Sequence, residues 1–178
     1  MKKLVFTALF IVGVPALSLS AYAAGESTFS VGYAQSHVKF QNEKFKENPK
    51  GFNIKYRYEF DNNWGVMGSF TYTHQGYDFH NGRRKVASAD LDYYSLTAGP
   101  AYRINEYISA YGLIGLAHGK AEAKTSGYSH NENKTKLAYG AGLQINPIPN
   151  VAIDASYEYS KFNEVKVGTW MLGVGYRF

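Results

Sequence analysis

Two groups of ionisable side chains are spaced so that they could act together. Lys55, Arg57 and Glu59 recur at every second position, Asp154 and Glu158 stand four residues apart, and Arg177 lies next to the C-terminus. In an extended chain residues two and four apart share a face. Asp154 and Glu158 would then face the same side, and the sharper reading makes them a pair for general acid/base work. The competing reading is a structural network of opposite charges, and it is the stronger one because each carboxylate has basic residues available to it. The second group is Arg83-Arg84-Lys85, the densest run of cations, which would attract polyanions.

Other chemistry is excluded by residue type or spacing. The chain has no Cys, so it has no thiolate nucleophile, zinc–thiolate site or disulfide framework. His37, His74, His80, His118 and His130 are scattered singly, and none has a metal-ligand spacing such as His-Glu-x-x-His. No Gly-x-Ser-x-Gly nucleophile elbow occurs. Gly112-Leu113-Ile114-Gly115 lacks the context of a phosphate loop, and the Asn133-Lys134-Thr135 sequon is too common by chance to inform. No enzyme, cofactor or metal is expected.

The elements that position these residues show in the alternation of the chain. Trp170, Leu172, Val174, Tyr176 and Phe178 alternate with Thr169, Met171, Gly173, Gly175 and Arg177. Phe52, Ile54, Tyr56, Tyr58 and Phe60 alternate with Asn53, Lys55, Arg57 and Glu59. Strict period two means strands with one apolar face and one small or polar face. Segments starting near Phe29, Trp64, Tyr94, Leu137 and Val151 behave alike. Both faces of Ile108 to Gly119 carry Leu or Ile, so pattern alone does not assign its inside. Eight strands result, joined alternately by short turns (around 61–63, 103–106 and 146–150) and by polar connections that are mostly longer (41–50, 79–87, 124–135 and 161–165).

The start of the chain reads differently. Met1-Lys2-Lys3 is basic, Leu4 to Leu19 is almost wholly apolar, and Ala21-Tyr22-Ala23 is a small-x-small cleavage site. Residues 1–23 therefore read as a secretory signal peptide, and 24–178 as the mature domain. Cleavage leaves 155 residues and lowers the net charge from +5 to +3. That length suits one domain.

Eight alternating strands could form a soluble barrel with an apolar core or an outer-membrane barrel with an apolar coat. Three features favour the membrane. Gly, Ala, Ser and Thr crowd the less apolar face, as a narrow lumen needs. Tyr58, Phe60, Trp64, Tyr102 and Trp170 sit near strand ends, as aromatic girdles do. Short and long connections segregate, like periplasmic turns and extracellular loops. The expected fold is all-β: an eight-stranded antiparallel up-and-down transmembrane β-barrel in the bacterial outer membrane, most simply a monomer. Its lumen holds Lys55, Arg57, Glu59, Asp154, Glu158 and Arg177. Eight strands leave room only for side chains, so neither a substrate nor a diffusing solute is expected inside.

Charge is polarised along the barrel. The long-loop end carries thirteen cations against eight anions, a balance of +5, and the rest of the mature chain balances at −2. Rim cations would neutralise lipopolysaccharide phosphates, and the surface would attract sulfated glycans or acidic patches of host proteins. Candidate binding residues are Arg83, Arg84, Lys85, Lys124 and Lys134, with Phe79, Tyr128 and Phe162 as aromatic anchors. Phe45 is a further loop aromatic. Nucleic acid is not expected, because the aromatics form a regular apolar face and are not interleaved on a basic one.

The segments Gly32–Ser36, Gly51–Glu59, Trp64–Phe70, Thr97–Asn105, Tyr139–Gln144 and Val167–Phe178 resemble the Ail/OmpX/PagC/Lom family of small enterobacterial outer-membrane proteins. Asn105–Tyr107, Gly115–Lys120 and Asp154–Lys161 resemble its attachment-invasion branch. That resemblance implies adhesion to host cells through fibronectin and laminin, and serum resistance through complement regulators. An OmpX-like structural envelope protein with no dedicated host ligand is the alternative.

Overall fold

The computed structural model describes residues 25–178 apart from 41–42, 45–47, 82–83, 126–127 and 163–164; the side chains of 40, 43–44, 77–81, 84–89, 121–125 and 128–132 are also outside the description. The strands are β1 (Glu26–Phe40), β2 (Glu43–Lys44), β3 (Lys50–Glu59), β4 (Trp64–Asn81), β5 (Arg84–Arg103), β6 (Ile108–Thr125), β7 (Tyr128–Ile148), β8 (Val151–Phe162) and β9 (Val165–Arg177). All pairings are antiparallel; β1 pairs with β3, each strand from β3 to β8 pairs with the next, and β1 closes on β9 from Thr28↔Arg177 to Phe40↔Val165. The two-residue β2 only extends the first hairpin, so the closed wall has the eight expected strands. Closure pairs every strand on both sides, which a hydrocarbon environment requires.

Alternation sets the two faces. Phe29, Val31, Tyr33, Phe52, Tyr56, Leu96, Tyr139, Leu172 and Val174 are exposed on the outer wall, whereas Asn53, Ser69, Thr71, Thr97, Gln144 and Thr169 are buried inside. Tyr33, Phe52, Tyr72 and Tyr94 stand in register across four strands. The Tyr72 and Tyr94 rings are 4.8 Å apart, and Phe52 is 5.7 Å from Tyr72. With Trp170, 5.6 Å from Tyr33, they form an aromatic belt towards the long-hairpin end. Trp64 and Tyr102, 4.9 Å apart, belong to the belt at the short-turn end.

Two expectations are refined. The strand Ile108–Thr125 turns Ser109, Tyr111, Leu113 and Ala117 inwards, and leaves Ile114 and Leu116 on the outer wall. Two of the connections expected to be loops are largely strand. β4 to β7 run for 18, 20, 18 and 21 residues, about twice the 9–11 needed to span a bilayer. Backbone pairing continues above the membrane because a ladder wetted on both faces needs no apolar alternation. The polar composition of 79–87 and 124–135 is therefore that of a solvated sheet.

Candidate functional site

The lumen is packed in tiers. At the short-turn end Glu59 is gripped by Arg103, whose Nη2 donates to Oε1 at 2.5 Å and whose Nε donates to Oε2 at 3.1 Å. Arg57 Nη2 lies 3.0 Å from the same carboxylate and Arg177 Nη2 lies 3.5 Å from it; Arg177 also pairs with Glu26. One tier further, Asp154 pairs with Lys55 and accepts the Tyr111 hydroxyl at 2.6 Å. Lys55 also donates to Ser156 at 2.9 Å. Glu158, two inward positions beyond Asp154, has no cation in contact among the described residues: Tyr93 donates to it at 2.7 Å and Thr97 at 3.4 Å. Above these lies a hydroxyl cluster in which Ser36 is 2.9 Å from Thr73 and 2.7 Å from Thr169.

All six lumen residues singled out in the sequence face inwards. Asp154 and Glu158 are 1% and 2% exposed, and each is committed to its own donors. That arrangement gives a substrate no access to either carboxylate. Arg103, Tyr93 and Tyr111 complete the network and were not singled out. Arg103 was legible, since it ends the polar face that carries Ser95 and Thr97. Tyr111 was not, because its strand has two equally apolar faces.

At the opposite end lie the candidate binding residues. Arg83 falls outside the described residues, as do the side chains of Arg84, Lys85, Phe79, Lys124 and Tyr128, and all of Phe45. Lys134 is exposed at the barrel mouth. Phe162 is only 8% exposed, with its ring edge-on to Tyr93 at 6.2 Å, so it lines the mouth from inside. One feature of this end has no sequence signature. Lys161 lies opposite Lys166, Lys166 opposite Lys39, and Lys39 opposite Lys44. Lys39, Lys161 and Lys166 are exposed and share the outward parity of Tyr33, Tyr159 and Trp170. Like charges directly opposite across a sheet repel, so the row favours an anionic neighbour. Among the described residues no group of three or more His, Asp or Glu could hold a metal ion.

The barrel has known counterparts. The family model for the outer membrane protein beta-barrel domain matches residues 4–178. The attachment invasion locus protein of Yersinia enterocolitica is 58% identical over 178 residues, covering all of both chains. The chain belongs to the Ail/OmpX family of outer-membrane β-barrel proteins. Outer membrane protein X of Escherichia coli K12 is 46% identical over 173 residues, covering 94% of this chain and 95% of that protein. The crystal structure of Ail from Yersinia pestis, in complex with the heparin analogue sucrose octasulfate, superposes with a TM-score of 0.82 at 59% identity, covering 86% of this chain and 99% of that one. As an Ail/OmpX barrel, the chain resides in the outer membrane and belongs to a virulence-associated group.

Proposed function

We propose that this protein is an outer-membrane adhesin whose basic outer end binds sulfated glycans and extracellular-matrix proteins of the fibronectin and laminin kind, and promotes survival against complement. The cross-strand lysine row carries the reading. Lys161, Lys166 and Lys39 repel one another in register, and a polyanion relieves that repulsion while releasing counterions. The structure of Ail of Yersinia pestis is a complex with the heparin analogue sucrose octasulfate, and the sequence adds the dense cation run Arg83-Arg84-Lys85. The row lies on the long-hairpin side of the aromatic belt, and in the membrane lipopolysaccharide phosphates would be anions within its reach. The lumen charges hold the wall together, and residues 1–23 are removed on export.

A structural envelope role with no host ligand is the second reading, favoured by the 46% identity to OmpX. Expression in a serum-sensitive, non-adherent bacterium separates the two. The adhesin reading expects gains in cell attachment, fibronectin and heparin binding, and serum survival. It also expects those gains to fall when Arg83, Arg84 and Lys85 are changed to Glu. No gain in any assay leaves only the structural role.

A further inference from the structure

One level of the lumen holds polar groups that the chain itself leaves unanswered. Arg57 is 1% exposed, yet none of its three guanidinium nitrogens has a hydrogen-bond partner among the described residues; its 3.0 Å approach to Glu59 is an ion pair without hydrogen-bond geometry. The hydroxyls of Thr28 and Ser109 and Oε1 of Gln144 are equally buried and equally without partners. A buried polar group without a hydrogen bond is costly, and an uncompensated buried charge more so.

The register brings these four residues together. Partners followed from Lys55 through Ser69, Thr97, Gly115, Ala138, Ser160 and Val167 lead to Val38, eight residues beyond Ser30, the direct partner of Lys55. The circuit thus rises one residue per strand, and positions of equal height step back by one. On that count Arg57 and Gln144 share a level, and Thr28 and Ser109 lie one residue nearer the short turns. Thr28 is the cross-strand partner of Arg57, and Ser109 that of Gln144. β3 and β7 are four strands apart in either direction, so Arg57 and Gln144 face each other across the lumen. Ala101 and Ala152, both wholly buried, bring only methyl groups to this level.

Charge decides what these groups would take. Arg57, Arg103 and Arg177 converge on the single buried carboxylate of Glu59, and the further partner of Arg177, Glu26, is 56% exposed. Asp154 is already committed to Lys55 and Tyr111. Water would satisfy the orphaned donors but not the surplus positive charge, whereas a small anion does both. We propose that this level of the lumen is a binding site for a monatomic anion such as chloride, held by the Arg57 guanidinium and by the hydroxyls of Thr28 and Ser109. Gln144 presents an acceptor as it stands; its Nε2 makes only a 3.3 Å contact to Asn146, and turning the amide over offers that nitrogen to the ion. The site belongs to the folded wall and is independent of any host ligand at the outer end.

Crystals of the whole barrel grown in sodium bromide, measured at the bromine absorption edge, test the site directly. An anomalous peak is expected in the lumen against the Arg57 guanidinium, and it should vanish in Arg57→Gln while bromide on the outer surface persists. Thr28→Val and Ser109→Ala each remove one hydroxyl and should weaken binding about three- to tenfold; they carry the test if Arg57→Gln fails to fold. In solution, a ligand that binds only the folded state raises the unfolding midpoint with its concentration. Replacing the bulky anion isethionate by chloride at constant ionic strength should raise the urea midpoint of the parent barrel in liposomes, half-saturating below about 0.15 M. Folded Arg57→Gln should show no such rise. Density beside Arg57 without anomalous signal would mean water alone and overturns the proposal. A parent indifferent to chloride, or a chloride effect equal in the parent and in the folded variants, overturns it too.

Discussion

Lys55 and Asp154 show what a lumen charge contributes. Both are almost wholly buried, at 3% and 1% exposure, so each depends on the other for neutralisation. Removing one partner leaves an uncompensated buried charge, which typically costs about 3–5 kcal/mol, whereas replacing both by apolar groups is often close to neutral. Asp154→Leu alone should therefore destabilise the barrel by that amount in denaturant unfolding from lipid bilayers, and Lys55→Met together with Asp154→Leu should recover most of it. A double variant as unstable as the single one would show that Tyr111 and Ser156, not Lys55, dominate the site. Gly142 has a different task. A Cβ there would lie 2.4 Å from Tyr111 Cζ, so the missing side chain is what lets Tyr111 lean over β7 to Asp154 on β8. Gly142→Ala should cost about 1–3 kcal/mol by overpacking, and the loss should shrink in a Tyr111→Leu background.

At the scale of the strand, depth and parity decide what a position tolerates. Ala98 faces outwards, midway between Tyr94 of the outer belt and Tyr102 of the inner one. Ala98→Arg places a cation in hydrocarbon, and the expected loss is about 2–4 kcal/mol. His74 has the same outward parity but lies beyond Tyr72 in the headgroup layer. His74→Arg should cost at most about 1 kcal/mol. Equal losses at the two positions, measured by unfolding from bilayers of one thickness, would remove the proposed membrane boundary. The length of β4 to β7 belongs to the same scale. Their outer halves extend beyond the aromatic belt, and pairing there is kept by backbone hydrogen bonds.

For the whole molecule the decisive property is the separation of charge between its two ends. Interactions of exposed charges are screened beyond about 8 Å at physiological ionic strength. Polyanion binding at the outer end should therefore weaken steeply as salt rises. Changing Lys39, Lys161 and Lys166 together to Gln should flatten that dependence while leaving unfolding stability unchanged or raised, because the replaced charges repel in register. Heparin affinity measured across a salt series checks both. Binding that is insensitive to salt would place the contact on apolar surface instead.

The sequence alone determined the wall. Period-two alternation, small residues on one face and aromatics at strand ends led to eight strands with Lys55, Arg57, Glu59, Asp154, Glu158 and Arg177 inside, because strand geometry makes side-chain direction a matter of parity. Parity is silent about which residues meet. That Asp154 takes Lys55 and Tyr111, that Glu158 takes the Tyr93 phenol, and that Arg103 clasps Glu59 depend on stagger between strands far apart in the chain. The same stagger aligns Lys161, Lys166 and Lys39 into one row and turns Phe162 from a presumed loop anchor into the wall of a pocket. Parity also left the inside of Ile108–Thr125 open, since Leu113 and Leu116 are equally apolar. Only the curvature of the sheet, which lets Tyr111 reach over Gly142 of β7 to Asp154 on β8, gave that strand its inner face.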